Sequence, residues 1–463
     1  MGLRFPAGDR GRDRGVSAMA ATSTFAQRVA AHATAEYPDP YTGLLAAARD
    51  RLTGQFSLDA LRTPTANVER EAETLLRALV EEHANAALQH GRPFTESLEE
   101  LVARLQYDIF GYGVITPYLN MPTVEEIMIN GPNVIWVDDA ERGMYRASIR
   151  FESAREVQKL VDRIAARHGR RFDRSNPRVN AKMPDGSRLN AVMEPLVDNV
   201  PVAVTIRRHR LVARTLDDLV RLGTLTSDIA GFLKECVLGR LNLIVTGGTG
   251  SGKTNTLNAL CAVLPPEERV VTVEDTPELQ LGLDNWVAMV TTEETEEGQR
   301  AITLDDLVIN ALRMRPDRIV TGEARGAEIR SVLMAANTGH DGQLLTLHSN
   351  GVHEIANRVV QMWQLADSAM APGVITRYLV DAFDLVLYIE RVTVNGQRRR
   401  IVREVAELLP SRQMEGDIPA INVLWQDTGN GLQWTGLYPQ TLEESIYLRT
   451  GQQVSLHHYF KRG

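Results

Sequence analysis

Gly247, Gly252, Lys253 and Thr254 stand at the spacing G-x-x-x-x-G-K-T inside LNLIVTGGTGSGKT (Leu241–Thr254). This is the Walker A spacing, and chemistry accounts for each residue type. Glycine reaches backbone angles closed to other residues and lets the chain approach an anion closely. The loop amides of Gly247, Gly248, Thr249, Gly250, Ser251 and Gly252, with the positive end of the helix expected over Asn255–Leu264, can cradle phosphate oxygens. Lys253 would reach the β- and γ-phosphates, the Thr254 hydroxyl would bind Mg2+, and Asn255 follows directly. The stretch predicts a bound nucleoside triphosphate.

More chemistry-bearing residues come after it in order. VEDTPEL places Glu274, Asp275 and Glu278 where an apolar strand ends. Carboxylates there can hold Mg2+ and its waters opposite Thr254, which makes Thr254, Glu274 and Glu278 the metal candidates; a helix cap by Asp275 uses the same residue types. In RMRPDRIVTGEARG, Glu323 comes just after the buried run Ile319–Val320, where a carboxylate can orient or deprotonate an attacking water. A cap for a helix starting near Ala327 is the alternative. The aspartate that usually precedes such a glutamate is missing, with Thr321 and Gly322 in its place, so Mg2+ would lean on Thr254, waters and the Glu274/Asp275 cluster. In TGHDGQLLTLHSN, His340 and His348 flank the run Leu344–Leu347. Imidazole at a strand end can bond a phosphate. A structural role competes with this, and metal ligation lacks a Cys or carboxylate to complete a usual set.

The elements that would position these residues alternate strand and helix. Leu243–Val245, Val270–Val273, Ile319–Val320, Leu344–Leu347 and Leu385–Ile389 are short apolar runs with helical stretches between them. That alternation implies a parallel α/β sheet covered on both faces, with phosphate bound at the strands' carboxyl ends. Upstream the pattern is α+β. EIMINGPNVIWVD and KMPDGSRLNAV read as hairpins with Asn-Gly and Asp-Gly turns, and Val202, Val204 and Ile206 alternate as a half-buried strand. Two amphipathic helices are expected before that, over 66–88 and Ser97–Phe110, packing on the segment after them. The division expected is a disordered or weakly helical stretch over 1–60, a helical segment over 61–112, an α+β domain over 113–212, an α/β domain over 213–410 and a strand-and-loop extension over 411–463. The hairpin VTVNGQRRRIVREVAEL turns at Asn395-Gly396, and strand-like pieces surround Trp425 and Trp434.

Composition narrows the class. The chain has 463 residues, 43% of them hydrophobic and 24% charged, as in globular proteins. A net charge of −8 and the lack of an aromatic-basic stripe argue against nucleic acid as the chief partner. Cys236 and Cys261 lie in apolar helical contexts and suit core packing in a reducing compartment. No apolar run reaches the ~18–20 residues of a membrane span, and the N-terminal arginines precede no signal-like apolar stretch. The expectation is a cytoplasmic protein that meets a membrane only through partners.

With four motifs in this order, the chain resembles the secretion and pilus-assembly ATPases of the type II/type IV superfamily. These motifs are Walker A, an acidic box (Glu274–Glu278), an atypical Walker B (Ile319–Glu323) and a His box (Gly339–Asn350). LNLIVTGGTGSGKT, NALRMRPDRIVTGEARG and NTGHDGQLLTLHSN, with GYGVITPYL, TVEEIMINGPNVIWV and PDGSRLNAV upstream, resemble most the CpaF/TadA branch of tight-adherence (Flp) pilus ATPases. The resemblance runs over about Leu98–Leu408. It implies a RecA-like ATPase domain preceded by a sensor-like (PAS-like) α+β domain, a homo-hexamer, and Mg-ATP held between the two domains. It implies a partner in an inner-membrane platform protein and a place at the inner face of the cell membrane. Glu323 and Glu274 would be catalytic, and His340 and His348 would face the nucleotide. Arginines of the α+β domain would close on the phosphates; Arg188, Arg207 and Arg208 match, and Arg325 is a further contact. Asn180 departs from an expected aspartate, and the run Glu293–Glu297 makes one loop unusually acidic. A RecA-like nucleic-acid motor and a non-hydrolysing nucleotide-gated scaffold are the alternatives on the same core.

Overall fold

A computed structural model describes residues 40–57, 60–61, 65–90, 93–167, 169–208, 215–292, 300–394, 397–429 and 431–460. The arginine-rich stretch 1–39, the acidic run Glu293–Glu297 and the Asn395-Gly396 turn lie outside these residues. The chain forms two compact units, Met1–Asn120 and Met121–Gly463.

In the first unit three helices, Pro40–Gln55, Ala66–Gln89 and Leu98–Ile109, bury Leu44, Leu52, Leu76, Leu79, Leu101 and Leu105 against one another. The apolar faces expected to need a following domain thus close on each other. Ser97 starts the last helix with a capping box: its backbone N–H donates to Glu100 Oε2 at 2.7 Å, and its Oγ accepts from the Glu100 N–H. Tyr41 donates to Asp108 at 2.6 Å while the Arg104 guanidinium lies 3.6 Å over its ring. The sequence predicts a disordered or weakly helical stretch over 1–60, yet Pro40–Gln55 is a helix with Tyr41, Leu44, Ala48 and Leu52 buried. Its apolar positions are thinned by alanines, arginines and two glycines, which dilutes the periodic signal.

The second unit carries two sheets. The smaller is antiparallel: β1 (Val124–Asn130), β2 (Ile135–Asp139), β3 (Gly143–Arg146), β4 (Arg178–Lys182), β5 (Arg188–Met193) and β6 (Val202–Arg207), in the order β3-β2-β1-β6-β5-β4. Both predicted hairpins are present, β1–β2 and β4–β5, with Gly131 and Gly186 at positive φ in their turns. The helix Ala154–Ala166 buries Val157, Leu160, Val161 and Ile164.

The larger sheet has nine strands: β7 (Leu243–Gly247), β8 (Val270–Glu274), β9 (Trp286–Val290), β10 (Arg318–Ala324), β11 (Leu344–Leu347), β12 (Leu385–Val394), β13 (Gln397–Leu408), β14 (Ile421–Asp427) and β15 (Leu432–Trp434). Their order is β15-β14-β13-β12-β7-β11-β10-β8-β9. β12, β7, β11, β10, β8 and β9 are parallel, and β13–β15 extend the β12 side antiparallel. Side-chain alternation splits the strands between two cores: Leu243 and Val245 face one, Ile244 the other. Helices cover both cores, Ser227–Leu238 and Lys253–Cys261 one, Ile329–Ala336 and Ile355–Ala366 the other. This is the α/β architecture expected for the ATPase portion, preceded by an α+β sheet. The strand pieces around Trp425 and Trp434 join this sheet as β14 and β15.

Candidate functional site

The Walker A loop leaves β7 at its carboxyl end and enters the helix Lys253–Cys261. Two glycines are dictated locally. A Cβ on Gly247 would lie 2.1 Å from the Ile389 carbonyl oxygen of β12. Gly252 precedes the helix at φ +99, a region glycine enters freely.

Lys253 is buried, and its Nζ donates to the carbonyls of Gly247 (3.0 Å) and Gly248 (3.1 Å). It also lies 3.3 Å from His348 Nδ1. Burial, opposed by Glu323 and reinforced by Arg207 and Arg325, pushes its pKa down to about 8. An ammonium in such a place gains from a polyanion. Ser251 Oγ, Asn255 Oδ1 and Thr256 Oγ1 are buried without hydrogen-bond partners. All three residues line a cavity of about 110 Å3 beside the loop, together with Leu219, Leu222 and Arg398–Arg400. Native proteins rarely leave buried polar atoms unpaired, so these three fit a polar ligand such as a nucleotide.

Glu323 lies within β10 rather than just after it. Its Oε2 accepts from Arg325 Nη2 at 2.6 Å, and its Oε1 lies 2.5 Å from His348 Nε2. Oε1 is buried and has no aligned hydrogen-bond donor. Burial alone would raise the Glu323 carboxyl, but the Arg325 hydrogen bond and the charges of Arg325 and Lys253 hold it below the usual range. Burial and the Lys253 charge hold His348 below its ordinary value against the pull of Glu323. The site therefore sets an ionised carboxylate beside a neutral imidazole.

Glu274 ends β8 and is 2% exposed. Its Oε1 accepts from the backbone N–H of Glu278 (2.9 Å) and Leu279 (3.1 Å), while its buried Oε2 has no partner. Burial raises its pKa. The absent Walker B aspartate has a steric explanation: a Cβ at Gly322 would lie 2.7 Å from Glu274 Cγ, so Glu274 fills that space from the neighbouring strand. Thr254 Oγ1 donates to Glu278 Oε2 at 2.8 Å, and Glu278 is also paired with Arg188. The oxygens of Thr254, Glu274 and Glu278 are a donor set suited to a hard cation. Among the described residues no group of three or more His, Cys, Asp or Glu is arranged to hold a metal alone, so phosphate and water oxygens would have to complete the shell around Mg2+.

The other expected residues divide. Asp275 turns to Arg325, 4.0 Å away, and accepts from Thr291. Arg188 reaches the site through Glu278, and Arg207 is near enough for its charge to bear on Lys253 while pairing loosely with Glu126 at 3.7 Å. Arg208 donates to the Met121 and Val124 carbonyls, so its guanidinium is engaged within the α+β part. His340 precedes β11 and contacts Thr338, whereas His348 follows β11 at the loop, so the whole strand lies between the two histidines. Asn180 pairs with Asn190 across β4–β5 at 2.9 Å. Three arginines beside the site are legible in the sequence only as part of a hairpin. Arg391 Nη1 lies 3.1 Å from where a Gly250 Cβ would be, Arg400 Nε donates to the Gly250 carbonyl at 3.1 Å, and Arg398 pairs with Asp138. The run Arg398–Arg400 in an acidic chain is the available signal.

A family model described as type II/IV secretion system protein matches residues 110–404. The chain belongs to this family. It is a family of ATPases, and the chain is a secretion ATPase of the type II/IV group. A Mycobacterium tuberculosis protein that bears a conjugal-transfer name is 34% identical over 331 residues, 70% of this chain and 91% of that protein. The conjugal transfer protein TrbB of Rhizobium radiobacter is 31% identical over 294 residues, 63% of this chain and 85% of its own. The VirB11 ATPase of the Brucella suis type IV secretion system, crystallised with sulphate, is 25% identical with a TM-score of 0.35, covering 62% of this chain and 90% of that one. Among the described residues of the secretion ATPase, no helix is long and apolar enough to cross a membrane.

Proposed function

We propose that the chain is a hexameric motor that hydrolyses Mg-ATP at the Walker A loop and drives assembly of a Flp or type IV-like pilus, or export through a related secretion machine. The supporting observation is the meeting of Lys253, His348 and Glu323 at the mouth of the loop, with Glu323 Oε1 buried and lacking a donor. The loop amides and Lys253 bind the phosphates. Glu323, held ionised by Arg325, accepts a hydrogen bond from the attacking water and aligns it with the γ-phosphate. His348, packed 2.5 Å from Glu323 Oε1, limits by contact how far that carboxylate can turn. Mg2+, held through Thr254 with Glu274 and Glu278 behind it, would neutralise charge on the phosphates. Arg207 and Arg188 close from the α+β sheet. Rigid-body movement of that part against the sheet of β7–β15 is the output, passed to a platform protein in the inner membrane with the hexamer on its cytoplasmic face. The motif phrases favour the CpaF/TadA branch. A second reading, export of a conjugative cargo, is favoured by the names of the mycobacterial and rhizobial relatives; it changes the cargo and leaves the site chemistry as it is.

Glu323→Gln keeps the shape and removes the charge. Phosphate release should fall by about a hundredfold or more, while binding of a fluorescent ATP analogue stays within about twofold. Steady hydrolysis by this variant would remove Glu323 from the mechanism.

A further inference from the structure

Arg400 holds two parts of the molecule at once. On β13, its Nε donates to the carbonyl of Gly250 in the middle of the Walker A loop, at 3.1 Å. Its Nη2 donates to Glu125 Oε1 on β1 of the antiparallel sheet, at 2.6 Å. The side chains of Arg400 and Glu125 are 30% and 20% exposed, so the pair is partly shielded from solvent. The stem packs closely as well: a Cβ on Gly252 would meet Arg400 Cδ at 3.0 Å. A second ion pair, Arg398 with Asp138 on β2, fixes the same strand to the same sheet.

The direction of the Gly250 carbonyl matters for anion binding. A phosphate-binding loop works only when its N–H groups converge and its carbonyls turn away, because an inward carbonyl opposes phosphate. Arg400, which also lines the cavity beside the loop, gives the Gly250 carbonyl a charged donor and so fixes the direction in which that carbonyl points. Glu125 in turn orients the guanidinium.

We infer that Arg400 is a positioning residue that presets the Walker A loop for phosphate, and that Glu125 makes this presetting depend on where the antiparallel sheet sits. The inference rests on the proposed nucleotide site. It extends that site with a link, separate from the hydrolytic groups, by which movement of β1 changes nucleotide affinity.

The experiment is a set of binding and turnover measurements on the full chain, with a fluorescent ATP analogue and with ATP. Glu125→Gln removes a charge outside the loop and outside the nucleotide pocket. It should weaken binding about fivefold and raise KM in parallel, with kcat changed less than twofold. Arg400→Ala should weaken binding about tenfold or more. Adding Glu125→Gln to Arg400→Ala should cost nothing further, since the route no longer exists. Arg400→Lys, with one compact donor group, should fall between wild type and alanine. Amide hydrogen exchange over 247–252 in the nucleotide-free protein should speed up in both single variants. This readout separates loop presetting from a purely structural role, and equal melting temperatures check the fold. Wild-type affinity in Glu125→Gln, or additive losses in the double variant, would overturn the inference. Failure of the wild type itself to bind ATP would instead overturn the nucleotide site.

Discussion

Lys253 carries its charge where burial penalises it, and this gives nucleotide binding a pH dependence of predictable sign. In the free protein its pKa is pushed down to about 8. Phosphates around the ammonium raise it again, so the complex holds the proton more tightly than the free protein does. Below about pH 8 the lysine is charged in both states and affinity is flat. Above that, binding must take up a proton, and affinity should fall about tenfold per pH unit until the pKa of the complex is reached. Calorimetry from pH 7 to 9.5 in buffers of different ionisation enthalpy should show proton uptake near the top of this range. Affinity that stays flat would mean that the ammonium does not meet the phosphates. Stability moves the opposite way: between about 8 and the ordinary lysine value near 10.5 the unfolded chain holds the proton that the folded one has lost, so the ligand-free protein gains stability as pH rises through this window. Lys253 was legible in the sequence because phosphate chemistry fixes residue type and spacing together. His340 and Arg208 show where that stops. Both match in type, but one lies a strand's length from the loop and the other is spent on backbone carbonyls. Such outcomes depend on neighbours that one-dimensional spacing does not contain.

At the level of elements, the site depends on β8 and β10 pairing side by side in one parallel sheet. Glu274 at the end of β8 lies over the backbone of Gly322 in β10, and the Gly322 carbonyl accepts from Thr346 on β11 at 2.5 Å. Three adjacent parallel strands thereby fix the acidic box, the glutamate strand and the His box relative to one another. Gly322→Ala puts a methyl group 2.7 Å from Glu274 Cγ. We expect a loss of about 1–3 kcal/mol in denaturant unfolding together with a marked fall in turnover. Adding Glu274→Ala to that variant should restore most of the stability and none of the turnover, because the clash is relieved and the carboxylate is gone. Independent, additive effects would show that the two residues do not share the space. The parallel strands were legible as apolar runs, and their parallel pairing followed from the helices between them, but their order was not legible. The edge strand β9, only half-buried, was not singled out, and the inclusion of Glu323 within β10 depends on pairing that the apolar run Ile319–Val320 does not reveal. Nor did the missing aspartate reveal that Glu274 stands in its space, since that contact joins residues 48 apart (322 and 274).

At the scale of the molecule's larger unit, the segment beyond the matched family region is built into the ATPase core. The helix Leu442–Thr450 buries Leu442 and Ile446 in the core that also holds Leu257 of the Walker A helix. Gly239 makes room for it, since a Cβ there would come within 2.5 Å of Ile446. Arg449 then bonds Asp384 through two nitrogens, at 2.6 and 3.1 Å, and Asp341 at 3.1 Å. Asp384 also accepts from the Asn242 N–H at 2.7 Å, just before β7 begins. One guanidinium thus joins the C-terminal helix, the starts of β12 and β7, and the His-box turn. Burial raises the Asp384 carboxyl and Arg449 opposes that rise. Removing Arg449 leaves a buried carboxylate without its cation, which costs far more than losing a surface pair. Arg449→Ala should lower unfolding free energy by about 3 kcal/mol and open the region around 440–460 to protease, with Arg449→Lys recovering part of the loss. If the alanine variant melts and resists protease like the parent, apolar burial alone seats the helix. In that case neither Asp384 nor the His-box turn draws its position from the C-terminal segment.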